Sequence, residues 1–126
     1  MTVIRSADRR RTETPNAVMT TFASPTQGGA ERSLWQVEVA AGASGPVHVM
    51  DVEQTWSILA GTATVEVADD LLELAAGDTV VVPAGVARRF AAGSGAGFTA
   101  VVAGSAAALA TVPDSEAEAV NPPWIA

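Results

Sequence analysis

His48 is the only histidine in this chain of 126 residues, which also contains no cysteine, no tyrosine and no lysine. Proton chemistry near neutral pH therefore falls to one imidazole, the side chain whose ordinary pKa lies in that range. The missing residue types remove thiol nucleophiles, lysine Schiff bases, tyrosine acid catalysis and disulfides. His48, Met50, Gln54, Trp56 and Ile58 all carry even numbers in one stretch. Residues two apart in a strand share a face, so these five lie together, and apolar Trp56 and Ile58 mark that face as interior. Val86, Arg88 and Phe90 share a face by the same rule. An interior that receives His48, Met50, Gln54, Trp56, Arg88 and Phe90 is a mixed pocket of the kind that binds small molecules. There His48 is the candidate general acid or base. An interior guanidinium needs a partner. For Arg88 that partner is Glu53 or Asp51 turned inward, a ligand carboxylate or phosphate, or water at the barrel mouth.

The elements that must position these residues are short and alternating. Strands are predicted over 18–23, 34–39, 48–59, 62–68, 71–74, 79–82, 86–90 and 98–103. Gly- and Pro-bearing turns separate them: 24–33, 42–46, Gly61, Gly77-Asp78, 83–85 and 93–97. The Ala-rich stretch 105–110 is too short for more than one helical turn. Such spacing predicts an all-β antiparallel sandwich or barrel. Residues 1–16, with Arg5, Arg9, Arg10 and Arg11, read as a polar N-terminal arm, and 17–126 as one domain. The tail Pro122-Pro123-Trp124-Ile125 is stiffened by its prolines and is expected to dock on the barrel or on a partner subunit.

Five residues separate Gly42 from His48, one His48 from Met50, three Met50 from Gln54 and six Gln54 from Gly61. Five separate Gly77 from Pro83, one Pro83 from Gly85 and two Gly85 from Arg88. These two motifs, within 42–61 and 77–92, resemble the signature motifs of the cupin superfamily. The resemblance spans about residues 34–103 and implies a double-stranded β-helix or jelly-roll barrel. It also implies a metal site whose ligands are three His and a Glu. Here His48 keeps the first of those places, while Met50, Gln54 and Arg88 hold the others. A thioether suits mainly Cu(I), a neutral amide is a poor ligand, and a permanent cation repels a divalent ion at close range. The chain is accordingly expected to hold no metal and to use no cofactor. Fifteen residues between Gly61 and Gly77 resemble the compact microbial members.

Composition narrows the partners. A net charge of −7 and a pI near 4.4 argue against nucleic acid and acidic membrane surfaces. No apolar run reaches the ~20 residues of a membrane helix, and no signal-peptide pattern opens the chain, so a cytoplasmic location is expected. Arginine in place of lysine and abundant alanine look like a GC-rich bacterial genome. Exposed strand edges and the apolar tail suggest a homodimer. The expected function is binding of a small organic, anionic ligand without metal. The matching chemistry is isomerisation, epimerisation, cyclisation or elimination of a carboxylate-bearing substrate beside a carbonyl. His48 would exchange the proton, Arg88 would hold the anion, and Gln54, Met50, Trp56 and Phe90 would line the site. A non-catalytic binding or sensing module, and a metal-dependent oxygenase or isomerase with a reduced ligand set, are the alternatives.

Overall fold

The computed structural model describes residues 1–126. After one short 3-10 turn (Ser6–Asp8) the regular structure is ten β-strands: β1 Arg10–Glu13, β2 Val18–Ala23, β3 Arg32–Val39, β4 His48–Met50, β5 Gln54–Val67, β6 Asp70–Ala75, β7 Thr79–Val82, β8 Ala87–Ala92, β9 Phe98–Ser105 and β10 Ala110–Thr111. All pair antiparallel, in the order β1-β2-β3-β9-β5-β8-β4-β10, with β6 and β7 also on β5. The sheet closes on itself into the jelly-roll barrel expected from the turn spacing.

β5 makes the closure. Residues 54–57 lie between β7 and β9, whereas 63–67 lie between β6 and β8, so one strand serves both walls. Two strands interrupted at Gly61 are expected from the sequence; the structure shows one strand with a bulge between Ile58 and Ala60. The extra residue reverses the alternation. Gln54, Trp56 and Ile58 point inward before it, Ala63 and Val65 after it. Gly61 has φ +75°, and a Cβ there would lie 2.0 Å from the Gly97 carbonyl oxygen. Only glycine allows that approach, so Gly61 is a crossing point rather than a chain reversal. The predicted strand 48–59 is likewise divided, because Asp51-Val52-Glu53 form a bend between β4 and β5.

The barrel interior is filled by alternate residues: Trp35, Val37 and Val39 of β3, Phe98, Ala100 and Val102 of β9, and Phe90 of β8. Part of the expected N-terminal arm belongs to the sheet, since Arg10–Glu13 pairs with β2 as an edge strand. The Ala-rich stretch 105–110 is a turn running into β10.

The tail docks on its own barrel. Ile125 is 1% exposed and Trp124 half-buried. Barrel side chains collect the carbonyl oxygens of the last residues. Thr21 Oγ1 donates to Trp124 O (2.7 Å), Ser33 Oγ to Ile125 O, and Ser24 Oγ and Thr26 Oγ1 to Ala126 O (both 2.7 Å). Arg10 Nη2 donates to Pro123 O (3.0 Å) and Ala126 O (2.8 Å). Thr21, Ser24 and Ser33 are fully buried, and without the tail these hydroxyl donors lose their acceptors. Removing 122–126 is expected to lower Tm by about 5–15 °C through lost apolar burial and these orphaned donors, as read by thermal denaturation. An unchanged melting curve would show that the tail contributes nothing to the fold.

Candidate functional site

A cavity of about 390 Å³ occupies one end of the barrel. His48, Met50, Gln54, Trp56 and Phe90 line it together with Trp35, Val37, Val39 and Met19 of the barrel wall. The tail closes one side through Pro122, Pro123, Trp124 and Ile125. Strand alternation delivers the barrel residues. Trp35 follows from the same two-residue period as Val37 and Val39, a signal present in the sequence but not used there to assign a site residue. Met19 likewise comes from the inward face of β2.

Arg88 is placed differently from the expectation that it reaches into the pocket and holds an anion there. It is the cross-strand neighbour of His48, in the β4–β8 pairing, and its side chain is sealed in the wall with 1% exposure. It does not line the cavity. Asp51 and Glu53, the acidic partners considered for it, are both exposed; Asp51 instead accepts from the Leu109 amide (2.7 Å). The single acceptor that Arg88 finds is Gln54, with Nη2 to Oε1 at 2.5 Å, while Nε and Nη1 have no protein acceptor. Burial without a counter-charge pushes the Arg88 pKa down to about 10, so the group stays protonated at neutral pH. Arg89, of opposite parity, pairs with Glu66 on the outside (2.9 Å).

The amide of Gln54 has a determined orientation. Arg88 Nη2 and Trp56 Nε1 (3.4 Å) both meet Oε1, and both groups can only donate. The oxygen must therefore face them, and the amide nitrogen is left as a donor on the cavity side with no acceptor in the protein. His48 is determined in the same manner. Its Nδ1 lies 3.0 Å from the Pro46 carbonyl oxygen, which can only accept, so Nδ1 carries the proton. In the neutral ring Nε2 is then the lone-pair nitrogen. Burial, more than the neighbouring Arg88 charge, pulls the His48 pKa below its ordinary value, and the Pro46 contact partly opposes them. The resting imidazole is neutral near pH 7.

These donors do not fit a divalent metal. No cluster of three or more His, Cys, Asp or Glu side chains occurs anywhere in the structure. At the place implied by the sequence motifs, the Gln54 oxygen is already engaged, Met50 offers a thioether, and Arg88 brings a positive charge.

Two consequences can be measured. His48 has a lowered native pKa, so between that value and the unfolded value near 6.5 the unfolded chain binds more protons. Stability is therefore lost as pH falls below about 6.5. The Tm decline from pH 7 to pH 5 is expected to be shallower in His48→Asn. The lone imidazole resonance should titrate to higher pH in Arg88→Met. An unmoved resonance would show that the two side chains are uncoupled.

The second consequence concerns the amide. Gln54→Leu strips the buried guanidinium of its acceptor and is expected to cost about 3 kcal/mol. Adding Arg88→Met should recover most of that loss, giving a double-mutant coupling of about 2 kcal/mol in urea denaturation. Additive losses would show that the contact carries no energy.

A model of the Cupin domain matches residues 35–103. No curated protein matches the sequence. Among solved structures, the polyketide cyclase RemF from Streptomyces resistomycificus superposes with TM-score 0.71 at 20% identity, over 83% of this chain and 79% of that one. A cupin 2 domain-containing protein from Halorhodospira halophila gives TM-score 0.75 at 16% identity, over 83% and 75%. The DMSP lyase DddQ from Ruegeria pomeroyi DSS-3 gives 0.74 at 20% identity, over 89% of this chain and 64% of that one. At these identities the likeness is one of fold.

Proposed function

The chain belongs to the cupin domain family, and on that premise we propose that it is a small-molecule-binding member that works without metal and moves a proton beside a carbonyl group. The observation that carries this reading is the pair of determined polar groups at the cavity wall. Gln54 offers an N–H donor, and His48 offers a lone pair. A substrate carbonyl oxygen would accept from Gln54 Nε2. His48 Nε2 would then take a proton from the adjacent carbon, and the electron pair of that C–H bond would move onto the oxygen as an enolate. Arg88, behind the amide, would stabilise the developing negative charge without touching the substrate.

Return of the proton at another carbon, or on the other face, would give isomerisation or epimerisation. Expulsion of a leaving group would give elimination, and attack of the enolate on a second carbonyl would give cyclisation. The named activities of two structural neighbours, a polyketide cyclase and a DMSP lyase, are of the last two kinds. A substrate carboxylate, expected from the presence of Arg88, could meet that charge only through Gln54. Homodimer formation remains part of the reading. It is supported by the uncovered strand β6, which exposes Leu71 and Leu72 to solvent.

The test is deuterium exchange. Purified protein, its metal content measured by elemental analysis, is incubated in D₂O with a panel of ketones, and loss of the α-proton signal is followed by NMR. Exchange should exceed the buffer rate and fall ~10²–10⁴-fold in His48→Ala, the range for losing a positioned base. Binding without His48-dependent exchange would favour a non-catalytic sensor. Stoichiometric metal, with exchange lost on chelation, would overturn metal independence.

A further inference from the structure

We propose that the ligand of this cavity is a flat, largely apolar aromatic molecule carrying an uncharged oxygen function, phenolic or ketonic, at its Gln54–His48 end. The proposal rests on the reading above for that head group; the walls argue for the rest. The chain is poor in aromatic residues, with three Trp and three Phe. Four of these six line this one cavity: Trp35, Trp56, Phe90 and Trp124. Trp56 and Phe90 are stacked, with centroids 3.8 Å apart and planes 15° from parallel. Stacked rings brace each other, and aromatic faces prefer offset stacking with another ring. Met19 and Met50 add polarizable sulfur to the same walls.

The same walls disfavour other ligand classes. The only permanently charged side chain on the lining is Glu118, which is exposed and negative. A small carboxylate would leave water for a cavity whose one nearby cation is sealed behind Gln54, on a protein of net charge −7. A sugar needs a hydrogen-bond partner for nearly every hydroxyl. Besides Gln54 and His48, the lining supplies Thr14, Asn16 and Thr111 as further neutral polar side chains. A cavity of about 390 Å³ suits a molecule of roughly two or three fused rings.

Calorimetric titration tests this with 2-naphthol and 2-tetralone against cyclohexanone, hexanoate and glucuronate. All three tryptophans line the cavity and the chain has no tyrosine, so intrinsic fluorescence reports on the same site. The two bicyclic probes should bind at least about tenfold more tightly than the other three, and Trp124→Ala should weaken them by about tenfold. Gln54→Leu should erase the advantage of 2-naphthol over naphthalene. Equal or tighter binding of hexanoate or glucuronate would overturn the proposal, as would no binding of either bicyclic probe up to its solubility limit. Binding separates this inference from the proton chemistry. If 2-tetralone binds but does not exchange deuterium through His48, the chemistry fails and the ligand class stands. If exchange occurs only on aliphatic ketones, the ligand class fails and the chemistry stands.

Discussion

A guanidinium sealed in a barrel wall with a single amide oxygen to meet it is the constraint on which this site depends. Arg88 cannot shed its charge at neutral pH, and neither nearby carboxylate turns toward it. Gln54 must therefore give it an oxygen, and Trp56 takes a share of the same atom. One contact thus has three results. It holds the amide in one orientation and points its donor at the cavity. It also occupies, with a cation and an engaged oxygen, the place where a metal shell would form. The positive charge lies beside His48 and adds to burial in keeping the imidazole neutral.

The cavity is available for that pair because of two features of the chain's path. β5 crosses from one wall of the barrel to the other at Gly61, where the absence of a Cβ lets it pass against Gly97. The bulge just before it switches which residues face inward, so Gln54 and Trp56 reach the interior at one end while Ala63 and Val65 fill it farther along. At the mouth, the tail supplies apolar side chains and places its carbonyl oxygens on buried hydroxyls of β2, β3 and the loop between them. The tail narrows a space that would otherwise open more widely to water. Walling off one side strengthens the interaction between the Gln54 donor, the Arg88 charge and any oxygen brought to them, because screening by water falls there.

The walls and the head of the cavity favour the same class of ligand. Aromatic and thioether side chains would reward flat apolar surface, and on the proposed reading the two neutral polar groups would serve one oxygen and one proton. On the proposed reading, a negative protein with its cation hidden would repel small anions yet still stabilise charge that develops inside. That distinction reconciles a buried arginine with an apolar lining.

Much of this was legible in the residues alone. Glycine and proline positions located the turns and, between them, β2, β7 and most of β9, while two-residue alternation located most of β3. Parity placed His48 with Met50 and Gln54 with Trp56, because the pleat obliges alternate side chains to share a side; the bend at 51–53 leaves both pairs, with Phe90, facing the cavity. The motif spacing carried the family. Tertiary structure alone decided that Arg88 sits beside His48, that its acceptor is Gln54 rather than Glu53, and that Trp35 and the tail complete the cavity. It also decided that β5 is continuous and that Arg10–Glu13 joins the sheet. These outcomes depend on which strands pair and in what register, and for Arg88 and the tail on contacts between residues 34 to 116 positions apart. Local alternation records which way a side chain points; it contains no term for what arrives from the far end of the chain to meet it.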